Sequence, residues 1–544
     1  MKARKVLSLI LLFALVLSFG AYAANHVDAS ERAENPILLD ISGEYTADRR
    51  EEIAYSTDRE GNLYGPADFA VDNGTVYLLD TAENRVYMYE NGVSRAISLQ
   101  DYGVFGTMLA AADGTVYVLG NNFDVLVLAD GAEGAVIDIS SIIGAAAVLD
   151  FNAIKDALYI SLSDNADGTT RKLVYEDGAF RVAETYSGFV FDEETVYKTE
   201  LLKTGGALGH GCILTVANVD GEILETIEIS SPYWVYGADY LGKDAGGRRL
   251  VKLFELATET DYTVKTAESI LLIDENGSVL SQEALPTQRL NNSNLTKAVD
   301  GKVYQLTAAA DRITVAELDV PNTTEPYVSP LAAISEPAAI VEQTNALPAV
   351  LGTISRVEVL QIADTYHTDF SWTCTVANLA SLTNWTKPRY VSGAGTYTCM
   401  PYCWGKWNSP SEFTTGLSNG GRAGNISTTF LASTYGVDCS GFVSRCWNLD
   451  QRYYTGSLPS LCSQLTYSSL QDGDLLNKHV ANSDGTWEGH AILFEKVQGS
   501  VFVCYESTTL NSYDRVAHTT RTPSSLQGSY VALRYKNITD FPEI

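Results

Sequence analysis

The residues most able to do chemistry lie at positions 437–447, which read Val-Asp-Cys-Ser-Gly-Phe-Val-Ser-Arg-Cys-Trp. A loop ends at Gly436, and apolar residues then recur with helical spacing from Phe442 onward. The pattern predicts that Cys439 lies at or just inside the N-terminus of a helix. There the unpaired amide groups and the positive end of the helix dipole favour the thiolate over the thiol. Cys439 is therefore a candidate nucleophile.

A thiolate nucleophile needs an imidazole that forms an ion pair with it and later protonates the leaving amine. His490 lies in the β-rich run at 489–494, and a second β-rich run follows at 501–506. The two runs predict a hairpin whose strands align His490 beside Glu506. A carboxylate on the second ring nitrogen would fix the tautomer of His490 and stabilise its imidazolium form.

Residues 400–534 resemble the NlpC-type family of papain-like cell-wall peptidases. The resemblance is carried by four ordered segments, namely Pro401-Tyr402-Cys403-Trp404-Gly405, Asp438-Cys439-Ser440-Gly441-Phe442-Val443, Asp472-Gly473-Asp474-Leu475 and Gly489-His490-Ala491. It implies an α+β papain-like domain in which Cys439 and His490 act with a polar third residue. It also implies cleavage of amide bonds in peptidoglycan stem peptides, of the D,L-endopeptidase type. The substrate-binding residues that follow from it are Tyr402, Trp404, Asp438 and Ser440.

The chain departs from the family pattern at three points. The third catalytic residue is usually His, Asn or Gln, whereas this chain offers Glu506, as in the related CHAP amidases. Lys406 replaces the second glycine that follows Trp404. Thirty-three residues lie between Gly405 and Cys439, which is longer than expected for the family. Residues 414–434 within this stretch are predicted to form an added flap. Asp472 and Asp474 are expected to shape the approach to the hairpin.

Each candidate residue also has a purely structural interpretation. A cysteine followed by an apolar helix is often a buried small hydrophobic residue. His490 is compatible with a hydrogen-bonded strand histidine, in which case His479 or His518 would be the base. Glu506 is compatible with a solvent-facing strand charge. The tryptophans near the motifs, Trp404, Trp407 and Trp447, fit packing better than sugar binding.

The sequence gives little support for a bound metal or a cofactor. Cys399 and Cys403 are four residues apart, but no second close pair of Cys or His completes a four-ligand zinc site. Seven of the eight cysteines lie between Cys374 and Cys504, and an odd number leaves at least one of them outside any disulfide within that region. We expect no metal and no cofactor.

The elements that precede this region repeat a short phrase, polar-Gly-x-Val-Tyr. It occurs around Tyr77, Tyr117 and Tyr304, with a weaker copy around Tyr159. Tyr117 follows Tyr77 by 40 residues, and Tyr159 follows Tyr117 by 42. Each copy is a turn that leads into an alternating β-rich strand, and a second strand follows another turn. This period predicts a β-propeller of five to seven blades over residues 40–320. A β-sandwich with coincidental spacing is the alternative.

The remaining segments complete a multidomain chain. Lys2, Arg4 and Lys5 followed by an apolar stretch and a small-residue triplet at 21–23 predict a secretory signal peptide over residues 1–23. Five prolines among Ala, Thr and Glu predict a semi-extended linker at 321–350. Apolar spacing predicts a helix over 356–366, and the α+β hydrolase domain is expected to occupy residues 351–544.

The charge of the chain is unevenly distributed. From residue 352 onward, 13 Lys+Arg stand against 15 Asp+Glu, whereas the first 351 residues carry 24 against 52. Such an acidic surface repels phosphate backbones, which makes nucleic acid an improbable partner. No later segment is apolar enough to span a membrane once the signal is removed.

Together these observations predict a secreted or cell-wall-associated bacterial cysteine hydrolase whose propeller has an unknown ligand. The alternative is an exported propeller-based binding or adhesion protein with a non-catalytic hydrolase-fold domain. A third possibility is an amidase or transferase that acts on other substrates with the same pair of residues.

Overall fold

The fold is described from a computed structural model of the chain. It describes residues 37–44, 53–57, 63–129, 134–163, 171–183, 188–204, 206–285, 296–299, 301–308, 312–318, 327–341, 352–482 and 485–540. The predicted signal peptide lies outside these residues. Residues 38–544 form one contact unit. In the part of the chain that is described, no helix is long and apolar enough to cross a membrane.

Six sheets form a six-bladed propeller, which confirms the prediction and fixes the blade number, and the first five sheets are antiparallel and built of successive strands. The first three blades are β5–β8 (Pro66–Asp72, Thr75–Asp80, Arg85–Glu90, Val93–Ser98), β9–β12 (Gly106–Ala112, Thr115–Gly120, Asp124–Ala129, Ala135–Asp138) and β13–β16 (Val148–Ile154, Ala157–Leu162, Lys172–Glu176, Ala179–Ala183). The next two are β17–β20 (Phe189–Val190, Thr195–Thr204, Ala207–Asn218, Ile223–Ser230) and β21–β24 (Trp234–Lys243, Arg249–Thr258, Val264–Ile273, Val279–Ala284).

The sixth blade closes the propeller by joining the two ends of the region. Its strands are β25–β27 (Thr296–Val299, Lys302–Ala308, Arg312–Glu317), β1 (Ile37–Glu44) and the parallel β2 (Ile53–Ala54). A small hairpin, β3 and β4 (Ser56–Thr57, Leu63–Tyr64), precedes the first blade. A short helix α1 (Ser140–Ile143) lies between the second and third blades.

Two-residue turns explain why the repeated phrase marks the blades. Asn73-Gly74 and Asp113-Gly114 connect the innermost strand of a blade to its second strand, and both residues of each pair have positive φ. Such a turn matches the right-handed twist of a hairpin, and Asn-Gly and Asp-Gly are the pairs that adopt it most easily. The same strand that follows the turn carries the repeated Val-Tyr and is largely buried.

Residues 352–540 combine helices with six strands of a seven-stranded antiparallel sheet, whose edge strand β28 comes from the predicted linker, while the papain-like assignment stays a prediction. The sheet order is β28 (Ile340–Val341), β34 (Cys462–Leu465), β39 (Tyr530–Tyr535), β35 (Leu475–Ala481), β36 (Trp487–Gln498), β37 (Val501–Thr508) and β38 (Arg515–Arg521). The helices are α2 (Arg356–Asp364), α3 (Pro410–Ser418) and α4 (Cys439–Cys446). Three two-stranded pairs complete the region, namely β29 with β40 (Ile354–Ser355, Ile538–Thr539), β30 with β31 (Ser371–Cys374, Gly395–Thr398) and β32 with β33 (Arg422–Ala423, Thr434–Tyr435).

The predicted linker crosses the propeller before it joins this sheet. Leu331 is buried against Ala257 and Ala267 of the fifth blade. The carboxylate of Glu336 accepts hydrogen bonds from the Thr258 amide at 2.7 Å and from the Trp234 indole at 2.6 Å. Because β28 then pairs with β34, the described part of the linker is fixed to both regions.

The C-terminal sheet packs directly on the propeller through one of its faces. A buried cluster joins Tyr236 and Phe254 of the fifth blade to Tyr467 and Phe502 of the C-terminal region. Polar contacts are present at the same boundary, since the Tyr467 amide donates to the Thr258 hydroxyl at 2.9 Å. Side chains that alternate toward this face of the sheet are therefore covered by the propeller.

The innermost strands of the blades surround an axial cavity that carries buried carboxylates. Asp239 on β21 faces this cavity, and burial, opposed by the charge of Lys252, raises its pKa to about 7. In the unfolded chain an aspartate has a pKa of about 3.9. The contribution of Asp239 to stability is therefore greatest at low pH and is lost as the pH rises through about 7.

We expect Asp239→Asn to stabilise the propeller at pH 8, because it removes a buried charge. At pH 5 the gain should be clearly smaller, because Asp239 is still protonated in the folded protein and only its ionisation in the unfolded chain costs stability. Thermal unfolding of both proteins at the two pH values tests this. Asp244→Asn is the matched control, because that surface carboxylate accepts from Arg248 at 2.7 Å and should give no gain at pH 8. Equal gains at pH 5 and pH 8 would contradict the assignment.

Candidate functional site

The turn before helix α4 is held by Asp438, one of the residues named above for substrate binding. Its carboxylate caps the helix by accepting from the Gly441 amide at 2.6 Å and from the Ser440 hydroxyl at 3.2 Å. It also accepts from the Gly405 amide at 3.0 Å and forms an ion pair with Arg452. Cys439 is consequently the first residue of α4, which confirms its predicted position, and its side chain is 6% exposed.

The backbone just before Cys439 is held by two neighbouring segments, residues 401–403 and strand β37. Val437 pairs in parallel with Tyr402, and the carbonyl of Val437 accepts from the Ser507 hydroxyl on β37 at 2.9 Å. Helix α4 packs against β36 and β37. Cys439 belongs to one buried cluster with Ala491 and Tyr505, whereas Ile492 and Cys504 belong to the cluster that faces the propeller. Because side chains alternate along a strand, His490 and Glu506 lie on the propeller-facing side of the sheet and Cys439 lies on the other side.

His490 and Glu506 are brought together as predicted on the strands β36 and β37. Nε2 of His490 lies 2.7 Å from Oε2 of Glu506, and both side chains are fully buried. Because a carboxylate accepts, Nε2 carries the proton, and Nδ1 is the nitrogen through which His490 would exchange a proton with a thiol. Glu506 is thus not a solvent-facing strand charge.

Glu506 is also bound from the next strand, β38. Nη2 of Arg521 lies 2.6 Å from Oε2, and Nε of Arg521 lies 3.0 Å from Oε1. The Thr519 hydroxyl donates to Oε1 at 2.5 Å. Burial alone would raise the pKa of Glu506, but the charge of Arg521 and the hydrogen bonds from His490 and Arg521 hold it well below its ordinary value. The carboxylate is therefore ionised at neutral pH.

The two alternative bases are engaged elsewhere in the structure. The His479 ring stacks on Trp487 with centroids 4.4 Å apart, and its Nδ1 lies 3.1 Å from the Thr455 hydroxyl. His518 lies 2.6 Å from the Ala145 carbonyl of the propeller and 2.5 Å from the Glu495 carboxylate through its two ring nitrogens. Of the three histidines, His490 is the one bonded to the predicted orienting carboxylate.

The predicted substrate-binding residues differ in how far they are buried. Trp404 is half-buried, whereas Tyr402 and Ser440 are 2% exposed. Ser440 donates to the Asp438 carboxylate, so its hydroxyl forms part of the turn. Tyr402 lies in the segment that pairs with Val437 beside Cys439.

The predicted flap at 414–434 is only partly a surface loop. Its first residues belong to helix α3, whose Phe413 and Leu417 are buried in the same cluster as Cys439. The exposed part is the loop between β32 and β33, where Phe430 is 59% exposed. The Lys406 ammonium lies 4.3 Å from the centre of the Phe430 ring, so the residue that replaces the family glycine contacts this loop.

The sequence did not predict the residues that form ion pairs with the candidate carboxylates and lie far from them in the chain. Arg452 and Arg521 are the main examples, since each forms an ion pair with a predicted carboxylate. An arginine inside the β-rich stretch of β38 signals a buried charge pair. Its partner is not the residue opposite it in the register: Arg521 lies opposite Phe502, and its side chain extends along the same face of the sheet to Glu506.

Gly436 is the residue at which a small change should disturb the nucleophile turn. Its φ is +148°, and a Cβ atom there would lie 2.3 Å from the Pro401 carbonyl oxygen. We expect Gly436→Ala to push residues 437–439 away from residues 401–403 and to lower stability by about 1–3 kcal/mol. Gly393→Ala is the control, because a Cβ atom meets nothing within 4 Å there. Thermal unfolding of both variants tests the expectation, and equal effects would contradict it.

In chemical terms the region offers a thiol at a helix N-terminus and, on the other face of the sheet, an imidazole whose tautomer is fixed. No disulfide joins any of the eight cysteines, all of which lie in described residues. Backbone amides at the start of α4 point toward the same end of the helix as Cys439. The arrangement is able to stabilise negative charge on sulfur and on an attacked carbonyl oxygen.

Comparison with known proteins gives similarities of fold alone. No protein-family model matches the chain, and no curated protein matches it. Virginiamycin B lyase from Staphylococcus aureus shares 11% identity over 49% of this chain and 99% of the lyase, with a TM-score of 0.27. BamB from Moraxella catarrhalis shares 13% identity over 52% of this chain and 100% of BamB, with a TM-score of 0.24. The WD40 β-propeller domain of Doa1 shares 12% identity over 52% of this chain and 96% of that domain, with a TM-score of 0.27. At these identities and TM-scores the similarities carry no conclusion about function.

Proposed function

We propose that this protein is a secreted or cell-wall-associated cysteine hydrolase that cleaves amide bonds in peptidoglycan stem peptides. The observations that carry the proposal are the hydrogen bond of 2.7 Å between His490 and Glu506 and the start of helix α4 at Cys439, since α4 packs against the two strands that carry the pair. A histidine with this tautomer has Nδ1 as its proton-accepting nitrogen. The resemblance of residues 400–534 to NlpC-type peptidases supplies the substrate class.

The proposed reaction has two steps. The Cys439 thiolate attacks the amide carbonyl carbon, and the oxyanion is stabilised partly by the amide of Cys439 itself. The carbon–nitrogen bond then breaks as the His490 imidazolium gives its proton to the leaving amine. A water molecule attacks the resulting thioester while neutral His490 takes its proton. The acid leaves and the thiolate is restored.

The test is digestion of purified peptidoglycan with the full-length mature protein, followed by mass spectrometry of the released fragments. Hydrolysis adds one water per bond cut and exposes a new amino group and a new carboxyl group. The masses of the two products identify which bond is cut. Fragments identical to those of an untreated sample would exclude peptidoglycan as the substrate.

A second candidate function is a propeller-based binding protein whose C-terminal region is not catalytic. It is favoured by the position of His490 and Glu506 on the propeller-facing side of the sheet, away from Cys439. The buried ion pair of Glu506 with Arg521 also favours it, because buried charge clusters are often structural features. A binder should retain peptidoglycan binding in a pull-down after Cys439 is alkylated. An enzyme should lose its hydrolytic activity under the same treatment.

A further inference from the structure

The axial cavity of the propeller opens on the side away from the C-terminal region. All six blades line it, and its volume of about 610 Å³ is within the range of ligand pockets. Its rim is formed by exposed residues of the turns that follow the innermost strands, such as Asp113 and Lys155. The beginnings of β5, β9 and β13 instead border a separate space, which is walled by Leu510, Tyr513 and His518 of the C-terminal region. A ligand would therefore enter the cavity from the end that this region leaves open.

The lining of the axial cavity has an excess of negative charge. Seven carboxylates line it, against two lysines, Lys155 and Lys297. Both lysines are already paired, Lys155 with Glu193 at the rim and Lys297 with the buried Asp68 at 2.8 Å. The cavity therefore attracts cations and repels ligands that carry phosphate or carboxylate groups.

Two of these carboxylates lie below the rim, Asp150 on β13 and Asp239 on β21. Neither forms an ion pair with a lysine or arginine in the described part of the chain. Burial raises the pKa of Asp150 to about 6 and that of Asp239 to about 7, and the charge of Asp150 adds to the rise at Asp239. A positive charge placed beside the two groups would stabilise their ionised forms.

Aromatic rings line the cavity next to Asp239. The Tyr197 hydroxyl donates a hydrogen bond to the Asp239 carboxylate. The centre of the Tyr197 ring lies 6.4 Å from that of Tyr240, and Phe191 meets Tyr240 edge-on with centres 4.9 Å apart. All three rings belong to the lining of the cavity. Aromatic rings attract organic ammonium ions, and the nearby carboxylates supply the opposite charge.

We propose that the axial cavity binds a small organic ammonium ion, whose charge pairs with Asp150 and Asp239 and whose alkyl groups contact the three aromatic rings. A metal ion fits less well, because no group of three or more His, Cys, Asp or Glu among the described residues is arranged to hold one. A neutral ligand would leave both carboxylates without a counter-charge. This site belongs to the propeller alone and does not depend on the proposed hydrolysis.

The test is isothermal titration calorimetry of the full-length mature protein with choline, a quaternary ammonium ion whose charge does not change with pH. The comparison is 3,3-dimethylbutan-1-ol, which has the same shape as choline without the charge. At pH 8 we expect choline to bind in the cavity and the alcohol to bind about tenfold more weakly or not at all. Absence of choline binding, or equal binding of the alcohol, overturns the proposal.

Choline binding should also tighten as the pH rises. At pH 5 Asp150 and Asp239 are protonated in the free protein, so choline gains little from their charge. At pH 8 both are ionised, and the affinity should be about tenfold or more higher than at pH 5. An affinity that is the same at both pH values would place choline away from these carboxylates and contradict the assignment.

Asp150→Asn and Asp239→Asn test where the ligand binds. Each removes one charge and keeps the size of the side chain, so each should weaken choline binding at pH 8 by about tenfold. Asp244→Asn is the matched control, because Asp244 pairs with Arg248 and does not line the cavity. Asp239→Asn should be more stable than the wild type at pH 8, so its loss of affinity would not come from misfolding. An unchanged affinity in both cavity variants overturns the site.

Discussion

Cys439→Ala is expected to abolish hydrolysis of peptidoglycan stem peptides while the protein stays folded. The alanine lacks the sulfur that forms the thioester, and loss of the nucleophile from a catalytic unit costs on the order of 10⁴-fold or more in rate. The side chain is small and lies at the first position of α4, so the cost in stability should be minor. Mass spectrometry of released fragments measures the activity, and thermal unfolding measures the fold.

Cys446→Ala provides the control for this result. Cys446 lies at the other end of the same helix, is fully buried, and has a thiol pKa raised well above its ordinary value by burial. Its replacement should leave hydrolysis within a few-fold of the wild type and lower stability instead. Full activity of Cys439→Ala would show that another group carries the reaction.

Asp474→Ala is expected to produce the largest loss of stability. Asp474 precedes β35, is fully buried, and accepts from two arginines, Arg356 at 3.2 Å and Arg534 at 2.7 and 2.9 Å. Removing the carboxylate leaves two largely buried positive charges without it, which costs about 3–5 kcal/mol. The predicted role of Asp474 in shaping the hairpin is thus that of an anchor between α2, β35 and β39. Urea unfolding monitored by tryptophan fluorescence measures the change.

Asp540→Ala is the matched control because its carboxylate binds the same arginine. Asp540 lies 3.0 Å from Nε of Arg356, but it is 69% exposed. An exposed ion pair contributes about 1 kcal/mol or less. Similar losses for the two variants would mean that burial does not determine the strength of these contacts.

The propeller was predictable where short-range turn chemistry marks its blades. The turns at Asn73-Gly74 and Asp113-Gly114 require positive φ, and the residues that tolerate it give a repeated signature. The fourth and fifth blades lack that signature at the same place, because longer connections, residues 191–194 and 244–248, join their first two strands. The sixth blade was not predictable as a unit, because it pairs β27 with β1 from the opposite end of the region.

The candidate site shows the same division between local and distant contacts. The helix at Cys439 and the hairpin of His490 and Glu506 follow from apolar periodicity, which depends on neighbours in sequence. The ion pairs with Arg452 and Arg521 depend on how separate segments pack. The first residues of the predicted flap are instead part of helix α3. The sequence did not show this, because the residues that bury Phe413 and Leu417 are far away in the chain.

The pH dependence of the reactivity of one sulfur tests the central claim most directly. Alkylation of Cys439 should proceed well below the usual thiol pKa of about 8.5 in the wild type. In His490→Ala the reaction should shift to higher pH, because the imidazolium no longer stabilises the thiolate. If Cys439 reacts only above pH 8 in the wild type, or with the same profile in both proteins, the two residues do not form a catalytic pair.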